Sequence, residues 1–179
     1  MKKIILTLMA VVIGLSSCNK PFPHEGTATE SLAGNWICTI YYSDGTQWVP
    51  YYAAEYMTYN SAANIGTELW LDDQEDFWGT KCKIDSDASA ATFGQEEKEY
   101  TDLYNNVKQK IWGGKISVGA AIAPVSESVC DKIEFFIAFE DDTTPYETTF
   151  YVAGYRRTGY PEDDDQTIDD WGDAFPPLQ

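Results

Sequence analysis

The sequence predicts an all-β chain, a single antiparallel sandwich or barrel of about eight or nine short strands. Apolar residues recur with period two, most clearly over Cys130–Glu140, where Ile133, Phe135, Ile137 and Phe139 share one face and Lys132, Glu134 and Phe136 the other. Turn residues return roughly every eight to twelve positions, at Asp44-Gly45, Asn60 to Gly66, Asp72-Asp73, Asp85 to Asp87, Gly113-Gly114 and Asp141 to Pro145. Long runs with the 3.6-residue period of an amphipathic helix are missing from the sequence.

The first element lies outside the barrel. Lys2 and Lys3 precede an apolar run from Ile4 to Leu15, and small residues then lead into Cys18. This is the layout of a cleaved export signal over residues 1–17. The run is too short to cross a bilayer, which takes roughly 20 apolar residues. Leu15-Ser-Ser-Cys18 resembles the lipobox of bacterial lipoproteins. That resemblance implies a diacylglycerol on the Cys18 thiol and Cys18 as the new N-terminus. It also implies two or three acyl chains, and at about 0.8 kcal/mol per buried methylene such an anchor is effectively permanent. Residues 18–31, with two prolines, a glycine and few apolar side chains, read as a flexible tether. The expected location is the outer membrane, by lipid anchor. No acidic run follows Cys18 to mark surface export, so the periplasmic and cell-surface faces both stay open.

The barrel domain is expected over residues 32–160. Its strands read as Gly34–Tyr42, Trp48–Tyr59, Thr67–Leu71, Phe77–Ile84, Ala90–Phe93, Cys130–Glu140 and Thr148–Thr158. Val107–Trp112 and Lys115–Ala120 flank Gly113-Gly114, which reads as a two-residue hairpin turn because glycine accepts positive φ. Glu96–Tyr104 reads as a loop or a single helical turn. Residues 161–179 form an acidic, irregular tail, with Trp171 and Phe175 placed to pin it to the barrel wall. Parity then assigns the interior. If Trp36 points inward, so do Cys38, Ile40 and Tyr42, joined by Trp78, Ile84, Ile133, Phe135, Ile137 and Phe139. These residues would line a ligand cavity. A small eight-stranded barrel holds either packed side chains or one small ligand, so hollowness separates a binder from a scaffold.

Charge and cysteines narrow the function. Without the two lysines of the signal, ten basic residues face 29 acidic ones, a net charge of −19. That excludes nucleic acid and direct adhesion to anionic lipid head groups. Cys38, Cys82 and Cys130 remain once Cys18 is lipidated, so at most one disulfide forms; buried free thiols are expected, with Cys38–Cys82 the pair to test. The only histidine, His24, sits in the tether, and no G-x-S-x-G elbow occurs, which excludes histidine-based triads within the domain. Asp72 and Asp76, in an acidic cluster beside Trp70, Phe77 and Trp78, are the carboxylates available for acid–base work, and acidic turns between strands explain the same cluster. Asp85-Ser-Asp87-Ala-Ser89 with Glu96 partly imitates a calcium loop, but Ala90 stands where glycine is required, so no metal is expected. No cofactor is implied.

Leu32-Ala-Gly34-Asn-Trp36 resembles the G-x-W signature of the calycin and lipocalin barrels, in which the tryptophan closes the floor under an arginine of the last strand. Arg156 and Arg157 are the candidates here, with Gly34 and Trp36, for such a closure. The wider chain is similar to a family of Bacteroidetes lipoproteins described as lipid-binding putative hydrolases. The matching segments are Leu32–Trp36, Met57–Asn60, Leu69–Asp73 with Phe77-Trp78, Asp131–Phe135 and Gly154–Gly159. The resemblance implies a calycin-like barrel and a small hydrophobic or amphipathic ligand, with no catalytic residues to carry over. A membrane-anchored lipid binder, without catalysis, is the leading expectation. A glycan-binding surface lipoprotein using Trp48, Trp70 and Trp112, a carboxylate-based hydrolase and an interaction module of a surface complex are the alternatives.

Overall fold

The computed structural model describes residues 26–164. The expected signal, Cys18, His24 and the tail bearing Trp171 and Phe175 lie outside the described residues. Within them the alternating segments form nine antiparallel strands: β1 (Gly34–Ser43), β2 (Trp48–Asn60), β3 (Glu68–Asp72), β4 (Lys81–Asp87), β5 (Thr92–Phe93), β6 (Glu99–Thr101), β7 (Lys108–Ile122), β8 (Val129–Phe139) and β9 (Phe150–Arg156). The sheet order runs β5-β4-β3-β2-β1-β9-β8-β7, and β5 pairs back onto β7. Eight strands thus close into a barrel-like ring, with β6 beside the same edge of β7. Two 3-10 turns, Glu30–Leu32 and Pro161–Asp163, are the helical elements among the described residues.

Register explains the core. Trp36 of β1 sits opposite Tyr56 of β2 and Arg156 of β9, and two residues further Cys38 faces Ala54 and Gly154. The inward set is one buried cluster that includes Trp36, Ile40, Tyr56, Ile84, Ile133, Phe135, Ile137 and Phe139. Each such side chain contributes roughly 1.5–3 kcal/mol on leaving water. Side chains from facing strands meet across the lumen: Phe135 of β8 has ring centroids 5.3 Å from Tyr56 and 5.7 Å from Phe93. The ring is filled in the way an eight-stranded barrel allows. Cys38, Cys82 and Cys130 are free thiols, and burial pushes the Cys82 thiol up to about 12, which keeps it protonated and inert.

Three expectations are corrected. Gly113-Gly114 is no hairpin turn, because β7 runs through it as one 15-residue strand. Gly113 holds φ +64, the pairing with β8 slips between Trp112 and Lys115, and a Cβ on Gly114 would stand 2.3 Å from the Phe93 ring. The glycines serve a bulge and a close strand crossing rather than a reversal. The strand expected from Phe77 begins at Lys81, so Trp78 lies in the β3–β4 loop with φ +61 and not on an inward strand position. The loop or helical turn expected at Glu96–Tyr104 contains β6.

The ring has two different ends. Beside β1's start and β9's finish the chain is capped by Leu32, which is fully buried. At the other end the β1–β2 hairpin, the β3–β4 loop and the β8–β9 loop surround a mouth.

Candidate functional site

The capped end is self-contained. Trp36 is 0% exposed and its indole N–H donates to the Thr58 hydroxyl at 2.8 Å. The Arg156 guanidinium lies 4.7 Å from the Trp36 ring centroid, donates to the Ala33 carbonyl at 2.6 Å and pairs with Asp131 at 2.9 Å. Gly34 is required there, since a Cβ would stand 2.9 Å from both the Trp36 ring and Arg156 Nη1. Arg157 takes no part; it turns to Asp164 at 2.6 Å and Glu55 at 3.9 Å.

The mouth is open and aromatic. A bulge between β1 and β2 puts Tyr52 opposite Ile40 and Pro50 opposite Tyr41, so Tyr51 is the extra residue and two successive tyrosines reach the mouth. Phe77 of the β3–β4 loop plugs the opening and is 5% exposed. Its ring centroid lies 5.3 Å from Phe150, 6.0 Å from Phe139 and 5.6 Å from Tyr52. Trp78 stacks on Phe139 at 4.7 Å and 15°. Tyr42 meets Tyr51 edge-on at 5.8 Å. Tyr42, Tyr52 and Trp78 each keep 37% of their surface exposed and Tyr51 keeps 51%. Of the proposed cavity residues, Trp36, Ile40, Ile84, Ile133, Phe135, Ile137 and Phe139 are buried in the filled interior, while Tyr42 and Trp78 stand at the mouth.

The loop that carries the plug is held by carboxylates. Gln74, Glu75, Trp78 and Gly79 all have positive φ, a conformation that costs non-glycine residues of order 1 kcal/mol each and persists where the surroundings enforce it. Asp73, fully buried, accepts from the Glu75 amide at 3.0 Å and the Phe77 amide at 3.2 Å, and its own amide donates to the Thr80 carbonyl at 2.8 Å. Burial pushes its carboxyl up to about 7 in spite of those backbone bonds. Asp72 is different. It accepts from Lys81 at 2.6 Å, Tyr59 at 2.8 Å, Tyr104 at 2.9 Å and the Gln74 amide at 2.9 Å. Burial raises it, but these bonds outweigh the burial and hold it below the usual carboxylate range. It is a saturated structural anchor, poorly suited to proton transfer. Asp76 accepts from the Tyr52 hydroxyl at 3.0 Å, and Asp141 from the Trp78 indole at 2.8 Å. An open cleft of about 520 Å³ is lined by Asp73, Gln74, Glu75 and Asp76 of this loop together with Glu55 and Asp164, the partners of Arg157. Asp73 escaped the sequence reading, because only its burial distinguishes it from the neighbouring acids.

The three tryptophans that the glycan-binding alternative would use divide. Trp48 and Trp112 both pack on Phe136, at 6.0 Å and 5.7 Å, while Trp70 stacks on Tyr59 at 6.3 Å with Lys83 over its ring. Asp85 to Asp87 are the last residues of β4 and Ser89 lies in the turn to β5, where Asp87 accepts from the Ser89 and Ala90 amides, and no metal-binding group of three acids, histidines or cysteines occurs among the described residues.

A family model described as lipid-binding putative hydrolase matches residues 23–161. No curated protein matches the chain.

Proposed function

We propose, from the premise that this chain belongs to the lipid-binding putative hydrolase family, that it holds a small hydrophobic or amphipathic ligand at the aromatic mouth and does not hydrolyse it. One observation carries this reading: four half-exposed rings, Tyr42, Tyr51, Tyr52 and Trp78, continue directly into the buried rings of Phe77, Phe139 and Phe150. Exposed rings of this kind give an acyl chain or a planar apolar group a surface without the cost of opening a packed core. Because side chains fill the ring interior, the ligand's seat moves from a central vault to the mouth. The Phe77-bearing loop is the element that yields if the ligand reaches deeper. Binding rather than catalysis is favoured because Asp72, one of the two carboxylates the sequence offered, is tied to four donors.

The test is a titration of delipidated protein with dodecyl-chain amphiphiles, followed by intrinsic fluorescence, alongside native mass spectrometry for co-purifying lipid. Saturable binding that weakens about tenfold in W78A is expected, a loss of about 1.4 kcal/mol. Failure of every amphiphile to saturate would sink the reading.

The proposed attachment is through Cys18 to the outer membrane, supported by the lysine-led apolar run and the lipobox-like Leu15–Cys18. Labelling with an alkynyl palmitate should mark the full-length chain in its host and leave C18S unmarked; label retained in C18S overturns the assignment. A glycan-binding alternative rests on the Trp48–Phe136–Trp112 row, and sugar binding lost in W112A but kept in W78A would favour it.

A further inference from the structure

The β7–β8 hairpin outruns the ring. β8 pairs with β9 only from Lys132 onward, so residues 129–131 and the β7 residues facing them project past the capped end as two strands alone. One face of this projection is packed: Ala121 and Ala123 lie with Tyr155 in a second buried cluster on the outer wall. The other face is bare. Ile122 and Val129 sit opposite each other, and with Val118 and Val125 they are between 60% and 85% exposed. Gly119, next to Val118, stands against a Val129 methyl, so the patch is continuous there. Tyr160, half-exposed, shares with Val129 an open cleft of about 380 Å³ that also takes in Arg156 and Arg157. A strand face turned to water ordinarily carries polar residues, so aliphatic side chains gathered at this exposure call for a partner.

The backbone behind the patch is answered from within. The Ala123 amide donates to the Ser128 carbonyl at 2.9 Å and the Glu127 amide to the Ala123 carbonyl at 3.1 Å. Asp163, fully buried, accepts from the Val125 amide at 3.3 Å, the Ser126 amide at 2.8 Å and the Ser126 hydroxyl at 2.7 Å. A tip held in this way can enter the interfacial layer of a membrane without leaving donors unpaired. The chain itself arrives at this end. The Ala28 amide donates to the Asn64 side chain at 2.8 Å and the Ser31 hydroxyl to the Ala88 carbonyl at 2.9 Å, tying the entering segment to the β2–β3 and β4–β5 turns. Eight residue steps separate Cys18 from Gly26, the first described residue, a reach of at most about 29 Å when fully extended.

We infer that the β7–β8 hairpin docks on the surface of the lipid layer, with Val118, Ile122, Val125 and Val129 among the head groups and first methylenes and Tyr160 at the interface. The mouth then faces away from the membrane. The inference rests on the attachment through Cys18 proposed above and adds which face of the protein meets the lipid. The layer it fits is zwitterionic. Arg156 is paired with Asp131 and Arg157 with Asp164, so the cleft beside Val129 presents both signs, as a phosphocholine or phosphoethanolamine head does. The excess of 29 acidic over ten basic residues in the mature chain opposes an anionic surface. Glu127, exposed at the hairpin tip, keeps the insertion shallow.

The test uses the mature chain, residues 18–179, both acylated on Cys18 and as non-acylated C18S, with phosphatidylcholine vesicles. Amide hydrogen exchange over residues 118–129 should be about tenfold slower in the acylated chain on vesicles than in C18S in buffer, while residues 42–52 and 74–79 of the mouth exchange alike in both. C18S should float weakly with the vesicles, and adding I122S and V129S should cut that partitioning about fivefold or more. L103S, at an exposed apolar residue of the mouth end, should leave it unchanged. Vesicles with about a third of phosphatidylglycerol should take up less protein. Protection at the mouth instead of the hairpin, partitioning unmoved by I122S and V129S, or stronger uptake by the anionic vesicles overturns the inference. So does a C18S dimer in sedimentation that I122S and V129S dissolve, because a second copy is then the occupant. A wild-type chain left unmarked by alkynyl palmitate overturns the attachment alone, and flotation of C18S still decides for or against the hairpin.

Discussion

At the capped end of the ring an indole, a guanidinium and a carboxylate satisfy one another, whereas at the mouth the carboxylates that hold Tyr52 and Trp78 are met by ring donors alone. Both ends use tryptophan and aspartate. At the cap, Arg156 spans Trp36, Ala33 and Asp131, so charge, ring face and carbonyl are all answered within the chain. At the mouth, Trp78 and Tyr52 donate to Asp141 and Asp76, and these acids have no ion-pair partner among the described residues. The cap is completed within the chain, while the mouth leaves Tyr42, Tyr51, Tyr52 and Trp78 half-exposed. The difference also shows in the backbone: β1 enters the cap on regular extended residues, while the mouth loop holds four positive-φ residues between Gln74 and Gly79.

The contrast breaks most visibly at the cap. W36A removes the largest buried ring there, and a loss of about 3–5 kcal/mol is expected in urea unfolding, with amphiphile binding by the folded fraction unchanged. A loss below 1 kcal/mol would mean that the cap is not the stabilising end. Next in size is the pH dependence at Asp73. Its folded carboxyl is raised from 3.8 to about 7, so the native state holds a proton that the unfolded chain releases earlier. The Asp73 contribution to wild-type stability should therefore fall as pH rises from about 4 to about 7 and level off above. D73N removes this contribution, and relative to wild type it should gain roughly 1–3 kcal/mol between pH 4 and pH 8 in paired urea melts. Parallel curves for the two proteins would remove Asp73 as a charged group buried at cost. The smallest effect on stability belongs to W78A. Losing a half-exposed ring should change unfolding by under about 1 kcal/mol, even though its binding falls tenfold; a large destabilisation would make Trp78 part of the core instead.

The sequence showed the strands well because period-two alternation is written locally, and β1, β8 and β9 fall within two residues of where parity put them. Trp36 and the terminal arginines were also visible, although which arginine meets the ring is decided by pleat: Arg156 is in register with Trp36, and Arg157 falls on the opposite face. The mouth was hidden for physical reasons. Tyr51 and Tyr52 reach it through a bulge, and a bulge breaks the alternation that parity relies on. Trp78 reaches it through left-handed backbone at a residue that is not glycine, for which composition gives no signal. Gly113-Gly114 misled for the opposite reason, since positive φ serves a bulge as readily as a turn. Asp73 could not be separated from Asp72 and Asp76 by residue type, only by what covers it.

Closure of the ring rests on two residue pairs, Thr92 with Lys115 and Phe93 with Gly114, where β7 and β8 share nine. So slender a seam makes the circle a latch rather than a weld. Thermal opening would begin there, exchanging the amides of β5 and the facing stretch of β7 with solvent well before the long pairings let go. For that moment the protein is no longer edgeless: it is an open sheet with two raw margins, and self-association on storage would start from them.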